Sequence, residues 1–506
     1  MARFKPVSYI QTLMVPIVLE KQLVPGTLEF AIHHLIETRI DMSPFEAKIR
    51  NDETGRPAYN PKVILKAVLL AYSRGIIGSR KIEQACKENV TFIAITGWST
   101  PDHSTIAEFI SSMQEEIEFL FRNILLICDE MGLLGGTKFS LDGLKLSSNA
   151  SKEWSGRKAD LRKKKEKIEK TIRYLMNKHI KSDKEEVSNG INYNDSKKRE
   201  KQIEKLKAKA EKIEKWLLEN EGKQGKRGKE IQSNITDNES AKMKTSHGVI
   251  QGYNCQALVD SKHQIIVHGE AFGNGQDTGH IGPMIEGAKE NVKAIGQGEN
   301  YFEGKIVIAD SNYHSEDNLK KCNDEKINAY IPDVYFRKRD PRFATADRHK
   351  PEKKGRYTRE DFQYDEEKDV YICPNGKELR LDNRRTKIRN YVLRKYASRQ
   401  RDCTDCKLRE KCLRKKETQR RYLLIPLEKQ ERNFSKEMIK KIDSDEGREI
   451  YSERMKIVEP VFANIRIQKR MDYLTLRGKV KVNIQWLLYC IVHNIGKIGC
   501  YRMKYG

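Results

Sequence analysis

A short apolar run that ends in an acid places the strongest constraint on the fold of this chain. Residues 305–309 read Lys-Ile-Val-Ile-Ala and are followed directly by Asp310. A continuous apolar run of this length is typical of a strand that is buried on both faces of a sheet. Ligand sites of open α/β sheets lie just outside such strand ends. We therefore expect Asp310 to lie at a functional site at the edge of a helix-flanked sheet.

The order of the other secondary-structure signals indicates a mixed α/β core. The expected elements are a strand at 137–146, a hairpin at 253–268, a helix at 278–294, a strand at 329–332 and a helical stretch at 435–497. Two insertions interrupt this series, at 152–245 and 334–434. Without them, the order is that of an RNase H-like fold, a mixed sheet flanked by helices.

The chain is expected to contain two main domains. Residues 1–132 predict an all-α domain for DNA binding or dimerisation. Residues 133–497 predict the RNase H-like domain, followed by a tail at 498–506. The insertion at 152–245 is rich in Lys and Glu and carries apolar residues at helical spacing, which predicts a helical hairpin. The insertion at 334–434 is basic and contains cysteines, and we expect it to be irregular.

The helices of the N-terminal domain are predicted from their end signals. Asn60 and Pro61 mark the start of one helix, and Ser79 is a candidate cap for the next. Thr105 and Glu108 have capping-box spacing before a longer helix that is expected to end near Gly132. Short helices joined by tight turns resemble helix-turn-helix packing, and a plain helical bundle is the alternative.

The charge of the chain indicates a polyanionic partner. Among 506 residues, 97 are Lys or Arg and 72 are Asp or Glu, a formal net charge of +25. Basic side chains on a nucleic acid release bound counterions, which favours binding. A Lys-rich solvated surface is the alternative. No apolar run is long enough to span a membrane and no signal peptide is recognisable, so we expect a cytoplasmic protein.

Two aspartates are candidate metal ligands. Asp142 interrupts the strand at 137–146 and precedes a glycine, and Asp310 ends the buried strand. If the strands are neighbours, the two carboxylates repel each other and a divalent cation relieves the repulsion. Two such cations can clamp an in-line phosphoryl displacement. Taken singly, each aspartate is equally explained as a turn former or strand-end cap.

Glu459 is the candidate third acid. It lies seven residues before Arg466, a spacing that puts both on nearly one face of a helix, where Arg466 would hold a phosphate. Pro460 predicts a kink or a helix start beside Glu459. Glu453 is the alternative ligand, and a glutamate that simply faces water is the alternative interpretation.

An ordered set of motifs resembles the DDE-type transposases of bacterial insertion sequences. The catalytic motifs are at 142–145, 252–257, 309–313 and 458–462, and N-terminal motifs are at 55–61, 79–83 and 101–106. The resemblance implies that Asp142, Asp310 and Glu459 bind two Mg²⁺ ions, with Mn²⁺ as a substitute. It implies nicking and strand transfer at the terminal inverted repeats of a mobile element, into target DNA, by a homodimer or higher oligomer.

The same resemblance suggests further DNA-contacting residues. In a related branch, a tyrosine, an arginine, the glutamate and a lysine share one helix, and Tyr451 and Arg454 match this pattern with one extra residue before Glu459. Arg466 stands where lysine is usual. In the N-terminal motif, Arg80 and Lys81 are the candidate DNA contacts.

Four of the ten cysteines have spacing that suggests zinc. Cys403 and Cys406 form a C-x-x-C pair, Cys412 follows six residues later, and Cys373 lies on a separate turn. Four thiolates suit a closed tetrahedral site. Reduced thiols are the alternative interpretation.

Three other functions remain open from the sequence. They are an RNase H-like nuclease without strand-transfer activity, an inactive or repurposed DNA-binding derivative, and a Lys-rich structural or RNA-binding protein. The last leaves the acid at the end of a buried strand unexplained.

Overall fold

The computed structural model describes residues 17–49, 57–189, 193–225, 228–346, 357–388, 391–413, 415, 417–426 and 433–505. The chain divides into two compact units. The first consists of Met1–Tyr313, Lys321–Ile331 and Glu449–Gly506, and the second of His314–Lys320 and Pro332–Arg448. The domain boundaries given above stay a prediction. The first part of the motif at 55–61 lies outside the described residues.

The N-terminal part of the first unit is helical. Its described helices are α1 (Leu19–Gln22), α2 (Leu28–Thr38), α3 (Ser43–Glu46), α4 (Pro61–Ser73), α5 (Ser79–Glu88), α6 (Val90–Ile95), α7 (His103–Ser112) and α8 (Gln114–Glu130). Asn60 caps α4 as predicted, since its side chain accepts a hydrogen bond from the Lys62 N–H at 2.8 Å. Ser79 is not a cap, because α5 begins at Ser79 and Gly78 holds the cap position.

The longer helix expected from Thr105 to Gly132 is two helices. The side chain of Asp102 accepts hydrogen bonds from the backbone N–H groups of Ser104 and Thr105, both at 3.0 Å, so that α7 begins at His103. The chain leaves the helical conformation at Met113, between α7 and α8. An aspartate cap therefore takes the place of the predicted capping box.

A six-stranded sheet forms the centre of the first unit. Its strands are β1 (Lys138–Ser147), β4 (Ala241–Thr245), β5 (Gly248–Asp260), β6 (Ile266–Phe272), β7 (Ile306–Ala309) and β8 (Asn328–Tyr330). Strand β1 is antiparallel to β5 and parallel to β7, which is parallel to β8. Both β4 and β6 pair with β5 on its other side. The predicted RNase H-like fold is thereby confirmed.

Helices cover this sheet and bury its apolar strands. Helices α11 (Ile281–Ala294), α18 (Arg454–Ala463) and α19 (Lys479–Tyr505) pack on its strands, and the chain also forms α12 (Glu316–Asp324) and α17 (Asp445–Ser452). Trp486 of α19 is fully buried and donates a hydrogen bond to the Gln256 carbonyl at 2.9 Å. A Cβ at Gly269 of β6 would lie 2.9 Å from Trp486 Nε1, so the glycine permits this close packing. Helix α19 continues past position 497, where we expected the tail to begin.

The first insertion is a helical hairpin, as predicted. Helices α9 (Lys158–Asn189) and α10 (Tyr193–Glu219) form its arms, and the two-stranded pair of β2 (Ser155–Gly156) and β3 (Ser233–Asn234) lies at its base. Leu161, Ile213 and Trp216 form a buried apolar cluster between the arms. Lys165 and Glu214 form an ion pair across the arms at 2.6 Å.

The second unit contains a sheet where we expected irregular structure. Its antiparallel strands are β9 (Gln363–Asp365), β10 (Val370–Ile372), β11 (Glu378–Ile388), β12 (Tyr391–Ser398) and β13 (Tyr422–Pro426), and its helices are α13 (Phe336–Arg339), α14 (Gln400–Thr404), α15 (Arg409–Cys412) and α16 (Phe434–Asp443). The buried cluster on this sheet consists of Phe362, Tyr371, Leu379, Tyr396 and Leu423. The expectation of irregular structure was wrong.

Candidate active site

The pairing of β1 with β7 brings two of the predicted acids together. The last residues in register between these parallel strands are Leu141 and Ala309. The next residues along the two strands are Asp142 and Asp310. Because the residues of a parallel pair that follow in register point to the same face of the sheet, the two carboxylates are neighbours at the edge where β7 ends.

Gly143 makes room for polar side chains of β5 beside Asp142. Its backbone N–H donates a hydrogen bond to Asp142 Oδ1 at 2.8 Å. A Cβ at position 143 would lie 2.1 Å from Gln256 Nε2 and 2.6 Å from Asn254 Oδ1. A larger residue at this position would therefore displace these two side chains of the neighbouring strand.

Arg454 is the positive charge nearest to Asp142. Its Nη1 lies 3.0 Å from Asp142 Oδ2, and the side chains of Arg454 and Asp142 are only 13% and 19% exposed. Tyr451, on α17, is within hydrogen-bonding distance of the same guanidinium. Arg454 therefore interacts with both Asp142 and Tyr451, and the predicted DNA contacts of Tyr451 and Arg454 stay a prediction.

Burial and mutual repulsion raise the pKa values of the two aspartates. Burial, together with the charges of Asp310 and Glu459, raises the pKa of Asp142 to about 6, against the opposing effects of Arg454 and the Gly143 N–H. Burial also raises the pKa of Asp310, which the Asn312 N–H and Arg454 oppose. Asp142 thus lies within range of the charges of both other predicted acids.

Glu459 lies inside α18, and Pro460 does not begin a helix. The helix starts five residues earlier, at Arg454, and includes Pro460. Proline has no N–H to donate to the carbonyl four residues before it. That carbonyl, of Lys456, accepts a hydrogen bond from Gln264 Nε2 at 2.9 Å instead, which explains how α18 tolerates the proline beside Glu459.

The structure distinguishes between the two glutamates that the sequence left as candidates for the third acid. Glu459 is exposed and interacts electrostatically with Asp142. Glu453 precedes α18 and forms an ion pair with Lys138. Glu453 therefore already has a cationic partner, and Glu459 is the better candidate for the third acid.

The other predicted DNA contacts lie on exposed surfaces. Arg80 and Lys81 are exposed in the first turn of α5. Arg466 is exposed in a π-helical turn, Asn464–Gln468, that follows α18. A π-helical turn changes the angular spacing of residues. The seven-residue spacing therefore does not put Arg466 on the helix face of Glu459. Its phosphate contact stays a prediction.

A buried polar network beside the aspartates was missed by the sequence analysis. Asp277, in the turn after β6, accepts hydrogen bonds from Asn254 at 2.6 Å and from Gln256 at 3.0 Å. The Tyr313 hydroxyl donates to Gln256. Burial raises the pKa of Tyr313, and the charges of Asp277, Asp142 and Asp310 raise it further. Asp277 lies five residues beyond the end of β6, so it lacks the signal of an acid directly after a buried strand that indicated Asp310.

The predicted zinc cysteines lie in the second unit and line one cavity. Cys373 follows β10, Cys403 lies in α14, Cys406 lies between α14 and α15, and Cys412 ends α15. Within the described ranges, no group of three or more His, Cys, Asp or Glu side chains is placed so that it could hold a metal ion.

In the first unit, the guanidinium of Arg454 is the cation that contacts Asp142.

Comparison with known families identifies the chain. A family model described as a transposase DDE domain matches residues 219–402, and a second model with the same description matches residues 372–499. A third, described as a transposase domain (DUF772), matches residues 18–112.

The chain belongs to the DDE-type transposases. The matches of this transposase to the two DDE models include Asp310 and Glu459, whereas Asp142 lies outside all three matched ranges. The place of Asp142 beside the other acids therefore rests on the register of β1 with β7. No curated protein matches the transposase sequence, and none of its described helices is long and apolar enough to cross a membrane.

Proposed function

We propose that this transposase cuts and joins DNA by metal-dependent phosphoryl transfer at the ends of an insertion sequence. The observation that carries the proposal is the register of β1 with β7, which makes Asp142 and Asp310 neighbours, and Glu459 interacts electrostatically with Asp142. In a family of DNA transposases, separate roles as turn formers or caps do not explain these three acids more simply than one shared site does.

The chemistry of these side chains fits a divalent metal ion. Carboxylate oxygens are the hard ligands that Mg²⁺ and Mn²⁺ prefer, and the raised pKa values of Asp142 and Asp310 reflect negative charge held away from water. In this proposal Asp142, Asp310 and Glu459 hold two Mg²⁺ ions. Bound metal ions would stabilise the attacking and leaving oxygens of the displacement.

The neighbouring residues hold and balance these charges. Gly143 N–H fixes one oxygen of Asp142, and Asn312 N–H donates to Asp310 Oδ1 at 2.8 Å. Arg454 neutralises Asp142 in the absence of substrate. We propose that Arg454 exchanges this carboxylate for a DNA phosphate, since a guanidinium binds either group in a bidentate manner.

The substrate in this proposal is double-stranded DNA carrying terminal inverted repeats, together with target DNA. The net charge of +25 supports a phosphate backbone as partner. Exposed Arg80, Lys81 and Arg466 are proposed DNA contacts. Assembly as a homodimer or higher oligomer on DNA and location in the bacterial cytoplasm are part of the same proposal.

The test uses duplex DNA that carries the terminal sequences flanking the coding region. We expect the wild type to nick these ends with Mg²⁺, and to join the liberated 3′ hydroxyls to target DNA. Asp310→Asn should bind the same DNA without cutting it. Cutting and binding are measured on the same DNA, by gel analysis of labelled strands and by fluorescence anisotropy.

Asp317→Asn is the matched control, because Asp317 is an exposed aspartate on α12. It should cut as the wild type does. Undiminished cutting by Asp310→Asn would overturn the proposal. Cutting by the wild type without joining would favour the nuclease alternative, and DNA binding without cutting would favour an inactive derivative.

A further inference from the structure

Four cysteines of the second unit line a single small cavity. Its walls include Cys373, Cys403, Cys406 and Cys412, and its free volume is about 20 Å³. This volume is close to that needed for one water molecule or one ion. Two separate parts of the chain supply the thiols, the turn after β10 and the segment of α14 and α15.

The backbone around two of these sulfurs resembles the support given to a metal-bound thiolate. The Lys377 N–H donates to Cys373 Sγ at 3.3 Å, and the Cys373 N–H donates to the Lys377 carbonyl at 2.9 Å, which closes the turn. Asn375 Nδ2 lies 3.6 Å from Cys406 Sγ. Donors aimed at sulfur favour the charged thiolate over the neutral thiol.

Two arginines add positive charge to the walls of the cavity. Arg409 and Arg421 both line it, and each donates to backbone carbonyls, such as Arg421 Nη1 to the Cys412 carbonyl at 2.9 Å. Arg421 Nε is buried with no hydrogen-bond partner among the described residues. A tetrathiolate zinc site carries a charge of −2, which these two guanidinium groups would balance.

The second unit also has a structural need for a cross-link. Its sheet buries only a small cluster, to which Cys373 and Cys412 add partly buried contacts. Small cores of this kind are commonly supplemented by a structural metal or by disulfides. The thiols lie at the rim of the cluster, where a metal would tie the turn after β10 to α14 and α15.

We propose that Cys373, Cys403, Cys406 and Cys412 bind one structural Zn²⁺ ion. Zn–S bonds of about 2.3 Å put the four sulfurs about 3.8 Å apart, so the side chains must rotate inward to ligate. The four thiols lose their protons to solvent as they bind. The site is in the second unit, and its role is structural and separate from the carboxylates of the first unit.

The test measures metal bound to the full-length protein, purified under reducing conditions. We expect about one zinc per chain by mass spectrometry of the metal. After zinc is exchanged for Co²⁺, we expect the absorption of a tetrahedral site with thiolate-to-cobalt charge transfer. A wild type that holds neither zinc nor Co²⁺ would overturn the proposal, whatever the behaviour of any variant.

Cys403→Ser combined with Cys406→Ser should lose the zinc. Cys500→Ser, which changes an exposed cysteine of α19, should keep it. Zinc retained by the double variant, or lost by Cys500→Ser as well, would refute the assignment. Because the metal content is measured directly, this outcome does not depend on whether the transposase cuts DNA.

Discussion

At the scale of single residues, the charges around Asp142 explain why acids and an arginine share this strand edge. Asp142 is mostly buried and close to two other acids. Removing its ion-pair partner, Arg454, would leave a buried negative charge uncompensated, which is costly in a protein interior. A site that holds several acids with one arginine is therefore able to accept further positive charge, as the proposed metal ions would supply.

The two glutamates near the start of α18 give a test of the third ligand. Glu459→Gln removes the acid that lies within range of Asp142, and we expect DNA cleavage to fall by at least about 100-fold, since even loss of a residue that supports a metal ligand costs about 10–100-fold. The cleavage rate at saturating DNA measures this effect.

Glu453→Gln is the comparison for this substitution. It removes only the ion pair with Lys138, a change of at most about 1 kcal/mol in unfolding free energy for a pair this exposed. Cleavage should therefore stay near the wild-type rate. If Glu453→Gln abolished cleavage and Glu459→Gln did not, the ligand assignment would be reversed.

The sequence indicated some site residues more clearly than others. Asp310 was recognisable because an acid directly after a run of buried apolar residues has few structural explanations. Asp277 lies five residues beyond the end of β6, and the polar turn around it, residues 274–278, resembles an ordinary loop. Its role depends on Asn254 and Gln256 of the neighbouring strand, a contact that only the fold reveals.

At the scale of secondary-structure elements, apolar periodicity predicted the strands that helices cover. Strand β7 has three fully buried residues of four and was recognised from them. Strand β11 is exposed along most of its length, with charged residues on both faces, so polar and apolar residues alternate only over 378–382. The sheet of the second unit was therefore missed because its strands are stabilised by pairing with one another more than by burial.

Helix α19 contains a buried histidine whose titration should affect stability. His493 Nε2 lies 2.9 Å from the Gln264 carbonyl, and burial lowers its pKa to about 3, with Lys497 and Lys469 adding to the decrease. The unfolded chain binds the proton near the ordinary pKa of 6.5. The contribution of the neutral histidine to the unfolding free energy is thus fully present above pH 6.5. It is lost progressively as the pH falls toward 3.

Between pH 7 and pH 5, this effect should reduce the unfolding free energy by about 2 kcal/mol. Urea unfolding at the two pH values, followed by circular dichroism, measures it. His493→Gln should lose that part of the pH dependence, whatever its absolute stability. His247→Gln, an exposed histidine, should retain it, and an unchanged pH dependence in His493→Gln would contradict the interpretation.

At the scale of the whole molecule, the order of motifs along the chain was more informative than any motif alone. Each motif is short, yet three of them fall on β1, on β5 and at the end of β7. Asp142 and Asp310 become neighbours only because β1 lies between β5 and β7. Within the described residues, the end of the first insertion adds strand β4 to the central sheet, and the strands of the second insertion form a sheet of their own. The compositions of the two insertions differ enough from the core to be recognised before the structure.

The central claim is that these carboxylates form one metal site, and Mn²⁺ binding tests it most directly. Electron paramagnetic resonance measures the free Mn²⁺ remaining in titrations of the wild type, of Asp142→Asn combined with Asp310→Asn, and of Asp317→Asn, each shown by circular dichroism to be folded. We predict that the double variant loses Mn²⁺ binding that the wild type and Asp317→Asn share. Equal Mn²⁺ binding by all three proteins would contradict the account.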